Sequence, residues 1–343
     1  MENKISIYDI AKYLDISPAT VSYVINGVNK VSEKTKEKVL KAIEELGYVP
    51  NYTARALSTG KSRMIGILLP VDDASIAFLQ NPFYVEFIGG MEKVISKYDY
   101  DLVIGIYNKT KNIKEWVMSR NLDGVVIVGS CEDSVYQELK SIELPIVFTD
   151  DYKIQAQDFN VVISNDEDGM YLATKYLINM GHTQIGFVGD PVSYLIDKKR
   201  YEGYKKALEE VGIEVDDNHL FITDATFTSG YNIGEEIING NVSSIVCSGD
   251  ILAIGIMKKI KELGYDIPKD LSIIGFDDIQ DANFVYPGLT TVKQDIGEKG
   301  YRSAQIIIDV LENSRKGRVN INLESSLVIR DSVCRVKKNK NEK

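Results

Sequence analysis

The sequence has few residues of the kinds that build catalytic or metal centres. Only two histidines, His182 and His219, occur in 343 residues, so a His-ligated metal or a Ser-His-Asp triad would depend on one of them. The three cysteines are far apart and form no CxxC pair, which disfavours a disulfide framework or a zinc site. Neither GxSxG nor GxGxxG occurs. We therefore expect a protein without catalytic residues, metal or cofactor.

Long hydrophobic runs are also missing. The N-terminus, MENKISIYDI, has no apolar stretch of the length that a signal peptide requires. No window approaches 18 uncharged apolar residues, the minimum for a membrane-spanning helix. These features predict a cytoplasmic protein that makes no membrane contact.

The net charge of −10 is unevenly distributed. Affinity for a phosphate backbone comes mainly from lysine and arginine, so an acidic chain is at first sight a poor nucleic-acid binder. Residues 1–63, however, hold 10 Lys+Arg and 7 Asp+Glu, a net charge of +3, which leaves −13 for the remainder. A basic segment attached to an acidic body indicates a nucleic-acid-binding end.

The first 50 residues have the pattern of three short helices. Ser6 and Asp9 form a capping pair that opens a helix ending at Leu14. Ser17 followed by Pro18 begins a second helix, predicted over Pro18–Asn26, and Ser32 begins a third. A tight turn between the first two helices favours a helix-turn-helix whose second helix enters the major groove. A small helical bundle with another purpose is the alternative.

From Met64 onward, apolar runs alternate with amphipathic stretches. Eight runs predict strands without polar alternation: 64–70, 101–107, 124–129, 145–150, 160–164, 184–190, 244–250 and 272–278. Such strands, separated by helices, are typical of parallel sheets buried on both faces, and their number favours two doubly wound lobes. Ligands of open α/β sheets bind beyond the carboxyl ends of the strands, where Asp150, Asp190, Asp250 and Asp277 stand.

Several motifs resemble the LacI/GalR family of bacterial transcription regulators. The head IYDIAKYLDISPATVSYVINGVNKVSEKTKEKVLKAIEELGYVP is followed by NYTARALS, NPFY, LATKYLINMGHTQIGFVGD, RYEGYKKAL, FDDI and LTTVKQD in the family's order. The resemblance implies an all-α helix-turn-helix head with a hinge helix, and an α/β body of two doubly wound parallel-sheet lobes like a periplasmic binding protein. The implied divisions are 1–50 for the head, 51–63 for the hinge and linker, 64–163 plus 293–322 for the N-terminal lobe, 164–292 plus 323–336 for the C-terminal lobe, and 337–343 for a polar tail.

The resemblance also implies which residues contact DNA. In a homodimer, two heads would bind a near-palindromic operator, and each hinge helix would insert Leu57 into the minor groove. Tyr23 replaces an arginine of many family members, so the base preference at that position is open. The implied DNA-binding residues are Ser6, Ser17, Ala19, Thr20, Ser22, Tyr23, Asn26, Asn51, Ala54, Arg55 and Leu57.

A second implied site is an effector cleft between the lobes. Arginine and aspartate side chains would bind hydroxyl groups there, and aromatic rings would cover an apolar face, so a sugar or sugar derivative is the expected ligand. Gly249 replaces an asparagine of many family members and removes a ligand-binding amide. The implied effector-binding residues are Phe83, Tyr84, Asp150, Arg200, Phe227, Gly249, Asp277 and Ile296.

The resulting interpretation is a repressor whose operator affinity is controlled by a small molecule. The first alternative is a global catabolite regulator whose co-repressor is a phosphorylated carrier protein docking on the N-terminal lobe. The second is a sugar-binding protein or sugar-processing enzyme on the same lobes, which leaves the basic head without a purpose.

Overall fold

A computed structural model describes residues 5–25, 28, 30–48, 60–70, 81–107, 112–313 and 315–336 of the chain. It contains two compact units, Met1–Arg63 and Met64–Lys343. Five of the predicted DNA-binding positions lie outside the described residues, and so does the tail 337–343; those positions are Asn26, Asn51, Ala54, Arg55 and Leu57.

The first unit contains the three predicted helices. They are α1 (Ile7–Leu14), α2 (Pro18–Ile25) and α3 (Glu33–Leu46). The residue after α1, Asp15, has a left-handed backbone with φ 53°, and this reversal starts the tight turn into α2. One apolar face of each helix packs into a small core made of Ile10, Ala11, Val21, Val24, Val39 and Ala42. The structure thus confirms the predicted helix-turn-helix.

The second unit is built on two six-stranded sheets. The first has the order β11-β5-β4-β3-β1-β2 and all its strands are parallel. The second has the order β12-β10-β9-β8-β6-β7, and only β12 runs antiparallel to its neighbour. The strands are β1 (Met64–Pro70), β2 (Asp101–Tyr107), β3 (Gly124–Val128), β4 (Ile146–Thr149), β5 (Asn160–Ser164), β6 (Ile185–Val188), β7 (Leu220–Phe221), β8 (Ser244–Cys247), β9 (Ser272–Asp277), β10 (Thr290–Lys293), β11 (Asn320–Leu323) and β12 (Ser326–Val328).

Helices cover both sheets. They are α4 (Pro82–Ile95), α5 (Ile113–Ser119), α6 (Asp133–Leu139), α7 (Asp166–Asn179), α8 (Leu195–Glu209), α9 (Phe227–Asn239), α10 (Asp250–Glu262), α11 (Asp281–Phe284) and α12 (Ile296–Asn313). The largest helix-to-helix contacts are α4 with α12, α7 with α8 and α9 with α10. No helix among the described residues combines the length and the apolar character needed to cross a membrane.

The chain passes from one sheet to the other three times, after β5, after β10 and after β11. All eight predicted strands are present, although the last residue of several strands lies one to three positions before the predicted end. Four strands escaped prediction because each is short, and β10, β11 and β12 mix polar with apolar residues. The two-sheet architecture is confirmed, while the residue boundaries proposed for the lobes stay a prediction.

Candidate ligand cleft and nucleic-acid interface

The start of each of the first two helices is capped by a predicted DNA-binding serine. The backbone N–H and the hydroxyl of Ser6 donate to Asp9 Oδ2, at 2.8 and 2.7 Å. Ser17 Oγ accepts from the backbone N–H of Thr20 at 3.1 Å and lies 2.8 Å from Thr20 Oγ1. These bonds fix the entry of both helices, and each hydroxyl keeps further bonding capacity for a phosphate oxygen.

The outer face of α2 combines small polar side chains with one aromatic ring. Ala19 and Tyr23 are exposed, and Thr20 and Ser22 are half-buried, whereas the opposite face is in the core. Lys30 Nζ lies 5.4 Å from the centre of the Tyr23 ring, which adds a cation to this surface. Hydroxyls, an aromatic ring and a cation are groups that bind phosphates and base edges.

In the second unit, two predicted ligand residues stand at the carboxyl ends of strands from different sheets. Asp150 directly follows β4, and Asp277 is the last residue of β9. Both have left-handed backbones, with φ of 58° and 118°. Non-glycine residues avoid this region, and such positions cluster at functional sites.

The guanidinium of Arg200 on α8 lies close to three acceptor oxygens beside the second sheet. Its Nε donates to Asp166 Oδ1 at 2.8 Å, and a terminal nitrogen donates to the Ser248 carbonyl oxygen. Its other terminal nitrogen lies 3.6 Å from Asp277 Oδ1. The guanidinium also stacks 3.8 Å from the centre of the Phe276 ring. Arg200 is 4% exposed, so nearly all of its charge is balanced within the protein.

Lys299 on α12 is the corresponding buried cation beside the first sheet. The side chain is completely buried, and its Nζ donates to Asp150 Oδ1 at 2.6 Å and to Gln294 Oε1 at 2.5 Å. The ammonium lies 5.7 Å from the centre of the Phe83 ring. Asp150, predicted as a ligand residue, therefore has one carboxylate oxygen occupied by a lysine.

Gln294 connects these two cations. It belongs to the segment between β10 and α12, where the chain passes from one sheet to the other. Its Nε2 donates to Asp277 Oδ1 at 2.5 Å, and its Oε1 also accepts from Ser164 Oγ at 3.1 Å. Tyr152, two residues after Asp150, donates to Asp166. These contacts form a polar ring that joins both sheets and that closes through the backbone between Asp150 and Tyr152. Its side chains are Tyr152, Asp166, Arg200, Asp277, Gln294, Lys299 and Asp150.

Carboxylates outnumber cations in and beside this ring. Among the described residues six aspartates are buried, Asp150, Asp151, Asp166, Asp197, Asp250 and Asp277, against the two buried cations Arg200 and Lys299. Burial raises the pKa of Asp277 to about 6 in spite of Arg200 and Gln294, and it raises the pKa of Asp150 and Asp250 as well. Carboxyl groups at such a site offer hydrogen-bond partners to hydroxyl groups, and burial disfavours a further negative charge there.

The remaining predicted ligand residues are Phe83, Tyr84, Phe227, Gly249 and Ile296. Burial, with Asp150 and Asp277 nearby, raises the pKa of Tyr84 to about 12. Phe83 and Ile296 are buried in the hydrophobic core, which gives them a packing role as well. Half-buried Phe227 begins α9, and Gly249 precedes α10, where it comes close to Asp277.

Sequence reasoning did not single out Tyr152, Asp166, Gln294 or Lys299. Gln294 lies within the LTTVKQD motif, and Asp166 is the first residue of a helix that directly follows a strand, so both carried a usable signal. Lys299 carried none, because its partner Asp150 is 149 residues away and a helical lysine normally faces water.

The fold and these two sites define a helix-turn-helix head combined with a two-sheet, ligand-binding body. Residues 6–51 match the lacI family of bacterial regulatory proteins, and residues 174–333 match the periplasmic binding protein-like domain. The transcriptional regulator RegA of Clostridium saccharobutylicum is 33% identical over 95% of this chain and 98% of its own length. This chain belongs to the lacI family of bacterial regulatory proteins.

Two solved structures extend the comparison. The Lac repressor dimer bound to operator and the anti-inducer ONPF has a TM-score of 0.84 and 26% identity, over 97% of this chain and all of that one. A LacI family regulator from Enterococcus faecium with bound ribose has a TM-score of 0.72 and 28% identity, over 80% of this chain and all of that one.

Proposed function

We propose that this protein is a homodimeric transcriptional repressor that binds a near-palindromic operator and is controlled by an uncharged carbohydrate in the cleft between its two sheets. The polar ring carries the proposal. Arg200 and Asp277 offer a charged donor and a charged acceptor close together, and charge-assisted bonds to hydroxyls recognise sugars. Burial disfavours the added negative charge of a phosphorylated sugar at this site.

The operator part of the proposal is supported by the head and by similarity. The surface of α2 presents groups suited to phosphates and base edges, and residues 1–63 carry a net charge of +3. The similar Lac repressor was solved as a dimer on its operator with a ligand bound. A two-fold dimer requires two half-sites related by the same symmetry.

The ring suggests how the cleft would control the head. A carbohydrate that bonds Arg200 and Asp277 competes with the bonds that join the two sheets through Gln294. Its binding shifts the balance between two arrangements of the body only through a difference in affinity for them.

Two measurements test this function. Selection of random duplex DNA by the purified full-length protein should yield a near-palindromic sequence. Anisotropy titration of that duplex, with and without saturating sugars, should then give different dissociation constants. A protein that selects no duplex, or whose operator affinity no sugar changes, would contradict the proposal; a change caused only by a phosphorylated carrier protein would establish the alternative co-repressor.

Leu57→Ala should weaken operator binding by about 2 kcal/mol, or roughly 30-fold, because a wedge that unstacks a base step would be lost. Binding to unrelated duplex DNA should change by less than about twofold, since it depends on phosphate contacts. Anisotropy titrations on both duplexes measure the two constants. The matched control is Leu172→Ala on α7, 41% exposed in the second unit. Equal losses on both duplexes would refute the wedge.

Sugar affinity should fall when the pH is lowered from 7.5 to 5. Asp277 has a pKa of about 6, so it is mostly ionised at pH 7.5 and roughly a tenth ionised at pH 5. Protonation removes the negative charge that strengthens the hydrogen bond to a sugar hydroxyl, and the expected loss is about tenfold. Isothermal titration across this range measures it, with Asp277→Asn as the variant that should bind weakly at every pH. A wild type whose affinity does not change with pH would exclude an ionised Asp277 from binding.

A further inference from the structure

A cavity of about 190 Å³ opens at one edge of the first sheet, beside β5 and β11. Parallel neighbours such as β4 and β5 are usually joined through an α-helix that covers the sheet. Residues 150–159 make this connection, and they hold only the 3₁₀ helix Ile154–Asp158, which packs on β5. A segment this short leaves space on the same face of the edge strand β11.

The strand register decides which side chains face this cavity. Asn320 on β11 is paired with Val161 on β5, and Asn322 is paired with Ile163. Val161 and Ile163 belong to the hydrophobic cluster that packs under α5 and α6. Because paired residues of neighbouring strands point to the same face, both asparagines lie on that face as well. The cavity therefore combines an apolar floor with two carboxamides.

A third carboxamide completes the polar part of the cavity. It belongs to Gln157, in the connection between β4 and β5. The side chains of Asn320, Asn322 and Gln157 are exposed, and none of the three carboxamides bonds another described residue. Each carboxamide offers a donor and an acceptor side by side. All three are available to a bound molecule.

The charged side chains at the cavity, in contrast, are bonded within the protein. Asp151 accepts from the Tyr136 hydroxyl and from the backbone N–H of Lys153, the latter at 3.0 Å. Lys153 Nζ donates to the Cys131 carbonyl oxygen and to Asp133 Oδ1, both at 2.8 Å. An ion would have to displace these charge-assisted bonds, so the cavity favours an uncharged molecule.

Tyr152 connects the cavity to the polar ring. It is among the residues that line the cavity, and its hydroxyl donates to Asp166 of the ring and lies 2.9 Å from the Ser164 carbonyl oxygen. Strand β11, which carries both asparagines, leads directly into the third passage of the chain between the sheets. A molecule in the cavity would therefore contact two elements that relate one sheet to the other.

A small heterocycle matches this chemistry. Its flat ring packs on an apolar floor, and its edge carries donors and acceptors side by side, as a carboxamide does. The cavity is smaller than the roughly 300–1,000 Å³ of pockets for drug-sized ligands, which suits a single small ring. We propose that it is a second regulatory site, which binds an uncharged nitrogen heterocycle of the nucleobase type and alters operator affinity through Tyr152. Its binding does not depend on the carbohydrate response of the cleft.

Isothermal titration of the full-length protein with uracil, cytosine, adenine and nicotinamide tests the binding. At least one of the four should bind, and Asn320→Ala combined with Asn322→Ala should weaken it at least about tenfold, because two hydrogen bonds are lost. Both positions are exposed, so the unfolding temperature of this double variant should equal that of the wild type. Asn232→Ala on α9, also exposed, is the matched control and should leave the affinity unchanged.

Tyr152→Phe tests the regulatory role. Anisotropy titration of the operator duplex, with and without the tightest binder of the four at saturation, should give dissociation constants that differ at least about fivefold in the wild type. Phenylalanine keeps the aromatic ring and removes the hydroxyl that bonds Asp166. The variant should therefore bind the compound as tightly as the wild type does, while the effect on operator affinity falls below about twofold.

The outcomes separate this site from the proposed function. A wild type that binds none of the four compounds, or a double alanine variant that binds as tightly as the wild type, would overturn the second site and leave the carbohydrate function intact. Binding that does not change operator affinity, or an effect that persists in Tyr152→Phe, would overturn its regulatory role. Failure to select an operator would contradict the proposed function alone, because titration with the four compounds still decides whether the site exists.

Discussion

Arg200→Met is expected to lower the free energy of unfolding by about 3–5 kcal/mol, because it leaves two buried carboxylates without their cation. Methionine keeps much of the length of the side chain and removes only the charge and the donors. Asp166 and Asp277 are 1% and 8% exposed, so water cannot replace the guanidinium. The Ser248 carbonyl oxygen loses its donor as well.

Urea denaturation of the full-length protein, followed by circular dichroism, measures this loss. Arg302→Met is the matched control: Arg302 pairs with Glu298 at 2.6 Å, but its side chain is 48% exposed. Surface pairs of this kind contribute less than about 1 kcal/mol. If Arg200→Met cost no more than the control, the ring would not be a stabilising element of the body.

Lys299→Met should produce a loss of similar size, about 3–5 kcal/mol, for the same physical reason. The substitution leaves Asp150 buried next to the core without its lysine, and Gln294 loses a donor. Helix α12, which carries Lys299, packs on α4 within the second unit. The loss should therefore appear in the free energy of unfolding of that unit.

A double substitution identifies the cause. Lys299→Met combined with Asp150→Asn removes both charges, so it should recover at least about half of the stability lost in Lys299→Met alone. The control is Lys258→Met on α10, whose partner Glu262 is 3.6 Å away and whose side chain is 56% exposed. A double variant as unstable as the single variant would mean that packing, and not the unpaired charge, accounts for the loss.

These variants also bear on the effector proposal. Arg200 and Asp277 would both bind a sugar and hold the two sheets together, so changing either alters folding and affinity at the same time.

Much of the architecture could be predicted from local patterns. The capping residues Ser6, Ser17 and Ser32 start the three helices of the head at the predicted places. Continuous apolar runs marked eight strands; most of them are buried, whereas β2 lies at the edge of its sheet and its Ile104 is 49% exposed. The antiparallel strand β12 and its partner β10 were missed, because three or four residues of mixed polarity resemble a loop.

The side chain of His182 shows what a local pattern does not record. The sequence places His182 just after a helix, where a cationic imidazole would interact favourably with the helix dipole. The side chain is instead buried, and its ring nitrogens lie 2.9 Å from Ser243 Oγ and 3.0 Å from the Cys334 carbonyl oxygen. Burial lowers the pKa of His182, so the neutral form is favoured.

By itself the sequence determined the head, the alternation of strands and helices, the family resemblance, and the carboxylates that follow the strands, since each leaves a signal within a few residues. Only the tertiary structure decided that the ammonium group of Lys299 bonds the carboxylate of Asp150 and that Gln294 joins the two sheets. Those contacts join residues up to 149 positions apart. Their energies come from burial, which raises the cost of every unpaired charge and which no local pattern records.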